Sequence, residues 1–473
     1  MLDIDHNPSL KTPISISNID IFILVTGFEE TCQELCDGNC KSLIKVINKP
    51  LLAYQLEFLE RSNIRDVYII TNKTYSKSVD NYISSQFFGD KIKPELIITS
   101  KENVELFSII KNKSTKSNFI LMSGDTILNF DLHALIDSHI EEKALSTMIL
   151  NDVSKFSNNQ KLNFNTDEGF EIFGVCEKKK DDNLNKIVFY NKKENIKAKN
   201  ASISKKVLKH EPNFSLLYNY EDIHFYIFNR SIFSIIDKFN DIMKSMTSIK
   251  DDFIPFLIKK MFSKRVNNAL KENAKENSNL VDKVLIKCKL FTNVNPITET
   301  TDLVYRVSTY QRLLSTIDEI QKPYDEIHPI FFQTRNNTKN TFSNYSQKIQ
   351  DNLDNNKQFN DGIPEIESMS ADSYVADPIT NIGKGTRINR TIVGANLSLK
   401  EGCKITSCLL FDNVSIGKDC KISNSIIGEN AIIGDNCKIV DCVVVGNYVV
   451  HEGTNVNGKL LSNEAITGDN MII

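Results

Sequence analysis

A 17-residue period near the C-terminal end constrains this chain more than any other feature. Shifting the sequence against itself by 17 superimposes "GTRIN", "GCKIT", "DCKIS", "NCKIV" and "GTNVN". Ile388, Ile405, Ile422, Ile439 and Val456 then share one column. Ile392, Leu409, Ile426, Val443 and Leu460 share a second, and Leu399, Ile416, Ile433 and Val450 a third. Within each copy an aliphatic residue is followed by Gly, Asn or Asp at about six-residue spacing. Short strands joined by turns that accept Gly or Asn at strained backbone angles predict a parallel β-helix of the hexapeptide-repeat type, each coil burying its aliphatic residues against the next. Cys403, Cys420 and Cys437 recur at the same spacing and read as ladder residues at one inward or corner position.

At 473 residues the chain is too long for one ordinary core, so at least two domains are expected. Residues 334–362 are rich in Asn, Lys, Gln and Ser and lack apolar periodicity, which predicts a disordered linker. Residues 157–165 and 177–185 have a similar composition and read as loop insertions. Before them, runs such as "DIFILVT", "RDVYIIT" and "NFILMSGDTI" alternate with amphipathic stretches such as "PLLAYQLEFLERSN" and "DLHALIDSHIEEK". That alternation predicts an α/β domain with a parallel, doubly wound sheet. The expected division is residues 1–330 for this domain, 331–365 for the linker and 366–473 for the β-helix.

A net charge of −3 argues against a nucleic-acid or membrane-surface role that rests on charge alone. The first residues, "MLDIDHNPSLKTP", lack the basic end and apolar run of a signal peptide, and no stretch approaches the roughly 18 apolar residues of a membrane span. A soluble, cytosolic protein is expected. Ten cysteines are a low density for this length, and five fall inside the repeat, so a reducing compartment without disulfides fits.

Ligands of doubly wound sheets bind at the carboxyl ends of the strands. Two places qualify: the loop after "IFILVT" and the "SGDT" after "NFILM". Asp125 in "SGDT" stands where a magnesium ligand for a nucleoside triphosphate would stand, and equally where a helix N-cap or turn Asp would open "TILNFDLHAL". Cradling phosphates requires closely approached backbone amides and a cation. The loop over residues 26–41 offers Gly27 and Gly38 but also Glu29, Glu30, Glu34 and Asp37, with only Lys41 and Lys45 as positive charge. Cys32, Cys36 and Cys40 recur every four residues without a fourth ligand or a paired C-x-x-C, so small semi-buried residues fit them better than a metal site. His224, in "YEDIHFYIF", reads as a core residue of a strand.

With "INKPLLAYQLEFLERSNIRDVYIIT", "LMSGDTI" and a terminal β-helix, the chain resembles the sugar-nucleotide pyrophosphorylase superfamily. The resemblance implies a nucleotidyltransferase-like, Rossmann-like domain followed by a left-handed parallel β-helix. Active members carry a G-x-G-T-R loop leading to P-K-P-L and then a second K-P-L. Here the second survives as "NKPLL", the first has become "CKSLI", and the glycine-arginine portion falls on "TGFEETC" and is lost. Within the superfamily, "SMTSIKDDFIPFLIKKMF", "YRVSTYQRLL" and the β-helix up to "AITGDNMII" resemble the gamma-subunit family of eukaryotic translation initiation factor 2B. That resemblance implies a catalytically silent scaffold in the guanine-nucleotide exchange factor for initiation factor 2. The assembly is a decamer in which gamma pairs with an epsilon subunit. The chain ends at Ile473 without the helical extension of epsilon, so gamma is the expected type. No catalytic residue, cofactor or metal is carried over, and Lys41 and Asp125 are vestigial positions. The competing readings are an active sugar-1-phosphate nucleotidyltransferase of the mannose-1-phosphate guanylyltransferase type, and an acyltransferase that would need His451, the only His of the repeat.

Overall fold

The computed structural model describes residues 19–25, 32, 35–36, 39–46, 49–85, 92–99, 104–153, 171–176, 184–192, 203–246, 248–274, 283–291, 302–320, 374–375 and 381–462. The four loop acids, Gly27, Gly38, the predicted linker and the first insertion lie outside these residues, as do all but the last two residues of the second.

In chain order the strands of the first region are β1 (Ile19–Leu24), β2 (Lys45–Val46), β3 (Lys49–Pro50), β4 (Asp66–Asn72), β5 (Lys93–Thr99), β6 (Asn118–Ser123), β7 (Thr126–Asn129), β8 (Ser146–Asp152), β9 (Glu171–Cys176), β10 (Asn185–Lys192), β11 (Ser215–Leu217), β12 (Tyr220–Asn229), β13 (Ile286–Phe291) and β14 (Leu303–Arg306). Ten of them form one sheet in the order β11-β9-β10-β13-β8-β12-β6-β1-β4-β5. The apolar run "IDIFIL" of β1 is buried along its whole length because it lies in mid-sheet, parallel to β4 on one side and β6 on the other. Helices α1 (Leu51–Arg61), α2 (Ser76–Ser85), α3 (Val104–Lys113) and α4 (Leu132–Glu141) connect these strands, and two apolar clusters fill the sheet's two faces.

The sheet is parallel through β5-β4-β1-β6 and again between β8 and β13. Next to β6, β12 runs antiparallel to both β6 and β8, β9 pairs antiparallel with both β10 and β11, and β10 pairs antiparallel with β13. The doubly wound α/β expectation holds, with the sheet mixed rather than parallel throughout. A strand buried on both faces reads as the same continuous apolar run in either direction, so composition does not carry its sense.

Strands between Tyr374 and Leu461 build three parallel sheets of six, five and five strands, the coils of a left-handed β-helix. All three predicted columns pair in register: Ile388↔Ile405↔Ile422↔Ile439↔Val456, Ile392↔Leu409↔Ile426↔Val443↔Leu460 and Leu399↔Ile416↔Ile433↔Val450. The corners turn through positive φ at residues 17 apart, among them Asn396, Asn413, Asn430 and Asn447, where a short polar side chain tolerates the left-handed region. At Gly434 a Cβ would lie 2.5 Å from the Glu452 amide nitrogen of the next coil, so glycine is required there by close approach.

One column behaves differently from expectation. Val393, Leu410, Ile427 and Val444 fill the interior of the coil, while their chain neighbours Ile392, Leu409, Ile426 and Val443 belong to another cluster. That cluster joins them to Val46, Leu51, Tyr54, Tyr305, Val307, Leu313, Leu314 and Ile317 of the α/β region. The second column therefore lines the outside of the β-helix and seats it on the first region. Lys45 adds a 2.6 Å ion pair to Asp412 across the same junction.

Candidate functional site

The carboxyl ends of β1 and β6 form the expected edge. At β6 the chain turns through Ser123, Gly124 and Asp125 into β7, which pairs with β14, and this ribbon brings Arg306 beside Asp125. Asp125 is 5% exposed. Its carboxylate lies 3.1 Å from Lys41 Nζ and 3.3 Å from Arg306 Nε, and accepts a 2.7 Å hydrogen bond from the Ser123 hydroxyl. Lys41 Nζ also donates to the Ser308 carbonyl at 3.1 Å, and the Val307 amide donates to the Asp125 carbonyl at 2.9 Å. Burial alone would push the Asp125 carboxyl up. Arg306 and Lys41, with the Ser123 hydroxyl, outweigh it and hold the group well below the usual carboxylate range.

Asp125 is thus a turn residue engaged by two cations. The N-cap of α4 is Asp131, which accepts from the Ala134 amide at 3.1 Å. Beside Asp125, a Cβ on Gly124 would fall 2.2 Å from the Ser42 hydroxyl oxygen, so the chain's own segment fills the space at the turn. The fully buried Gln55 of α1 braces the turn from below, donating from Nε2 to the Ser123 carbonyl at 2.6 Å and to the Thr126 hydroxyl at 2.9 Å.

The lysines of this region are all engaged with carboxylates. Lys41 meets Asp125, Lys45 meets Asp412, and Lys49 of "NKPLL" meets Glu57 at 2.8 Å while lying over the Tyr54 ring. Lys41 and Lys45, the only positive charge that the sequence offers at this loop, are therefore spent on internal pairs.

The cysteines do not share one face. Cys32 and Cys36 pack with Leu35, Ile44 and Val46 in the junction cluster, whereas Cys40 joins the α1 side of the sheet. Cys36 Sγ donates to the Cys32 carbonyl at 3.2 Å, and burial pushes the Cys40 thiol up to about 11, away from the thiolate a metal needs. Among the described residues no group of three or more His, Cys, Asp or Glu side chains is arranged to hold a metal ion. In the β-helix, Cys403, Cys420 and Cys437 are buried as ladder residues, donating to the carbonyls of Gly417, Gly434 and His451. None of the ten cysteines forms a disulfide among the described residues. His224 is buried in β12 at φ 58°, where the pairing of β12 with β8 shifts register. His451 is exposed at a β-helix corner.

A second buried polar group lies beyond β12. Glu171 accepts from Lys250 at 2.9 Å and from the Tyr190 hydroxyl at 3.2 Å, and Asp222 accepts from the Tyr226 hydroxyl at 2.6 Å. Burial and the neighbouring Glu171 carboxylate push Asp222 up to about 7, against the pull of Lys250 and Tyr226. Lys250 comes from the "SIKDD" turn, which Ser248 caps by accepting from the Asp251 amide at 3.0 Å. A cleft of about 280 Å³, lined by Phe107, Phe233, Met243, Ile249 and Phe253 among others, adjoins this turn through Ser248 and Ile249.

Arg306, Gln55 and Ser42 are the site residues that spacing did not reveal. Two of them carried a faint signal, each being a lone polar residue within an apolar stretch, in "LVYRV" and "LLAYQLEF". Polar groups placed so are either exposed or bound to a buried partner.

The profile of the nucleotidyl transferase family matches residues 22–271, just over half of the chain. The chain belongs to the nucleotidyl transferase family. Residues 370–471 match a second profile, described as the GMPPB C-terminal domain. The chain is 22% identical over 392 residues to the translation initiation factor eIF2B subunit gamma of Dictyostelium discoideum, covering 77% of this chain and 80% of that protein. It is 23% identical to the eIF2B subunit epsilon of the same organism over 49% of this chain and 32% of that one. Over 29% of this chain and 60% of the relative, it is 25% identical to the D-glycero-alpha-D-manno-heptose 1-phosphate guanylyltransferase of Aneurinibacillus thermoaerophilus. The chain is thus similar to a transferase and to initiation-factor subunits alike. Similarity to the gamma subunit extends over most of the chain, while similarity to the guanylyltransferase covers under a third.

Proposed function

We propose that this chain is a non-catalytic scaffold subunit of the guanine-nucleotide exchange factor for translation initiation factor 2, pairing with an epsilon-type subunit in the cytosol. The observation that carries this reading is the closed Lys41–Asp125–Arg306 group. A transferase needs a carboxylate free to hold magnesium and a cation free to meet phosphate. Here the carboxylate that would hold the metal binds the cation that would meet the phosphate, and Arg306 adds a second counter-charge from β14. Similarity to gamma and epsilon subunits supports the assembly. We assign residues 1–330 to the degenerate transferase domain, 331–365 to a linker and 366–473 to the β-helix. The contribution of such a subunit is to build the complex and offer surface to initiation factor 2.

The test is affinity purification of the full chain from its own cells, followed by identification of what accompanies it. An epsilon-type subunit, with the remaining subunits of the exchange factor, is the expected companion. Recovery of the chain alone as a stable homo-oligomer would overturn the proposal.

A further inference from the structure

The β-helix carries a feature that neither the family fold nor the transferase site requires. On the sheet that contains Ile388, Ile405, Ile422 and Ile439, the outward residue just before each of these is Arg387, Lys404, Lys421 or Lys438. Register pairing stacks the four directly on one another, and all are exposed. Among the described residues none of their side chains has an ion-pair or hydrogen-bond partner. At the neighbouring corner the pattern is the opposite: Lys400 pairs with Asp435 at 3.5 Å and Lys418 with Glu401 at 3.9 Å.

Like charges directly opposite in a sheet destabilise it, and a surface that serves solubility alone mixes both signs. Four stacked cations therefore ask for an anion from outside the sheet. We infer that this face docks an acidic α-helix of a partner protein, with carboxylates one turn apart set against Arg387, Lys404, Lys421 and Lys438.

Spacing selects the helix. Neighbouring strands lie about 4.8 Å apart, so three steps span about 14 Å. A helix advances about 5.4 Å per turn, or about 16 Å over three turns, a mismatch that long lysine stems absorb. Same-face residues of an extended peptide advance about 6.7 Å each, or about 20 Å over three steps, and run out of register. A single-stranded nucleic acid would want aromatic platforms between the cations. The outward residues two positions on are Asn389, Thr406, Ser423 and Val440, and the chain's net charge is −3. This surface follows from the register of the coils and does not depend on the assembly proposed above.

The experiment uses the full chain and fluorescence anisotropy with three probes. They are a helical peptide with glutamates one turn apart along one face, an isomer of the same composition with glutamates scattered around the helix, and an oligothymidylate. The patterned peptide is expected to bind best, more weakly as salt rises. Replacing both central lysines (K404Q with K421Q) is expected to weaken it roughly fivefold or more. Thermal unfolding of that variant is expected to be unchanged or slightly raised, since a repulsion has been removed. Equal binding of the isomer, preference for the oligothymidylate, no binding, or a lowered melting temperature with peptide affinity unchanged would overturn the inference.

Discussion

Asp125→Ala is expected to destabilise the full chain by about 3–5 kcal/mol in urea unfolding, because it leaves the half-buried Lys41 and the buried Arg306 without their common counter-ion. The direction separates the two ways of reading this carboxylate. Were Asp125 a free metal ligand, its removal would be neutral or stabilising, as commonly happens when a functional site's unneutralised charge is deleted. The pH dependence follows from the same contacts. The carboxyl titrates below its ordinary value of 3.8, so its contribution is fully present above that pH and fades as acid approaches the lower folded value. The stability gap between the parent chain and Asp125→Ala should therefore hold from neutral pH down to about pH 4 and close below it. A gap that stayed constant into strong acid would mean that the charge is not what the network uses.

Ile426→Glu is the second large effect. Ile426 is fully buried at the junction of the β-helix and the α/β region, in the cluster containing Tyr54, Tyr305 and Leu313. A carboxylate placed there without a partner costs several kcal/mol, more than the roughly 2–4 kcal/mol of a cavity from Ile426→Ala. The β-helix keeps its own core, since Ile427 and its column face the coil interior. The expected result is undocking, read as a larger radius of gyration in solution scattering and early protease cleavage between the two regions. Ile432→Glu is the control: that side chain is 48% exposed and the change should stay within about 0.5 kcal/mol. If Ile426→Glu left the scattering profile unchanged, the junction would not depend on this column.

The β-helix was legible to the level of individual pairs, because a period imposed by stacking repeats every coil's constraints in the next. What the period could not show was direction. Ile392, Leu409, Ile426 and Val443 are as aliphatic as the interior columns, yet they face outward. A hint lay in the sheet itself: its strands are apolar at both positions, as in Ile392–Val393 and Leu409–Leu410, whereas "KIT" and "KIS" are apolar at one. The doubly wound half was legible from alternating strands and helices, but the antiparallel insertion of β12 was not.

At the candidate site the sequence pointed to Lys41 and Asp125 and to the loss of a phosphate cradle. Their mutual contact was not visible, because the segment that closes the site, Arg306 to Ser308, lies more than 180 residues from Asp125. Long-range pairing of that kind has no local spacing to betray it. Arg306 also explains why "YRV" sits in so apolar a stretch: Tyr305 and Val307 join the junction cluster while the residue between them reaches the carboxylate.

The proposed scaffold makes no nucleotide–sugar bond, since Asp125 and Lys41, which a transferase would turn to metal and phosphate, pair with each other. The most direct test incubates the purified chain with magnesium, GTP and mannose 1-phosphate and follows pyrophosphate. No release above the protein-free control is the predicted result. Steady release that is lost in Asp125→Asn would contradict the account.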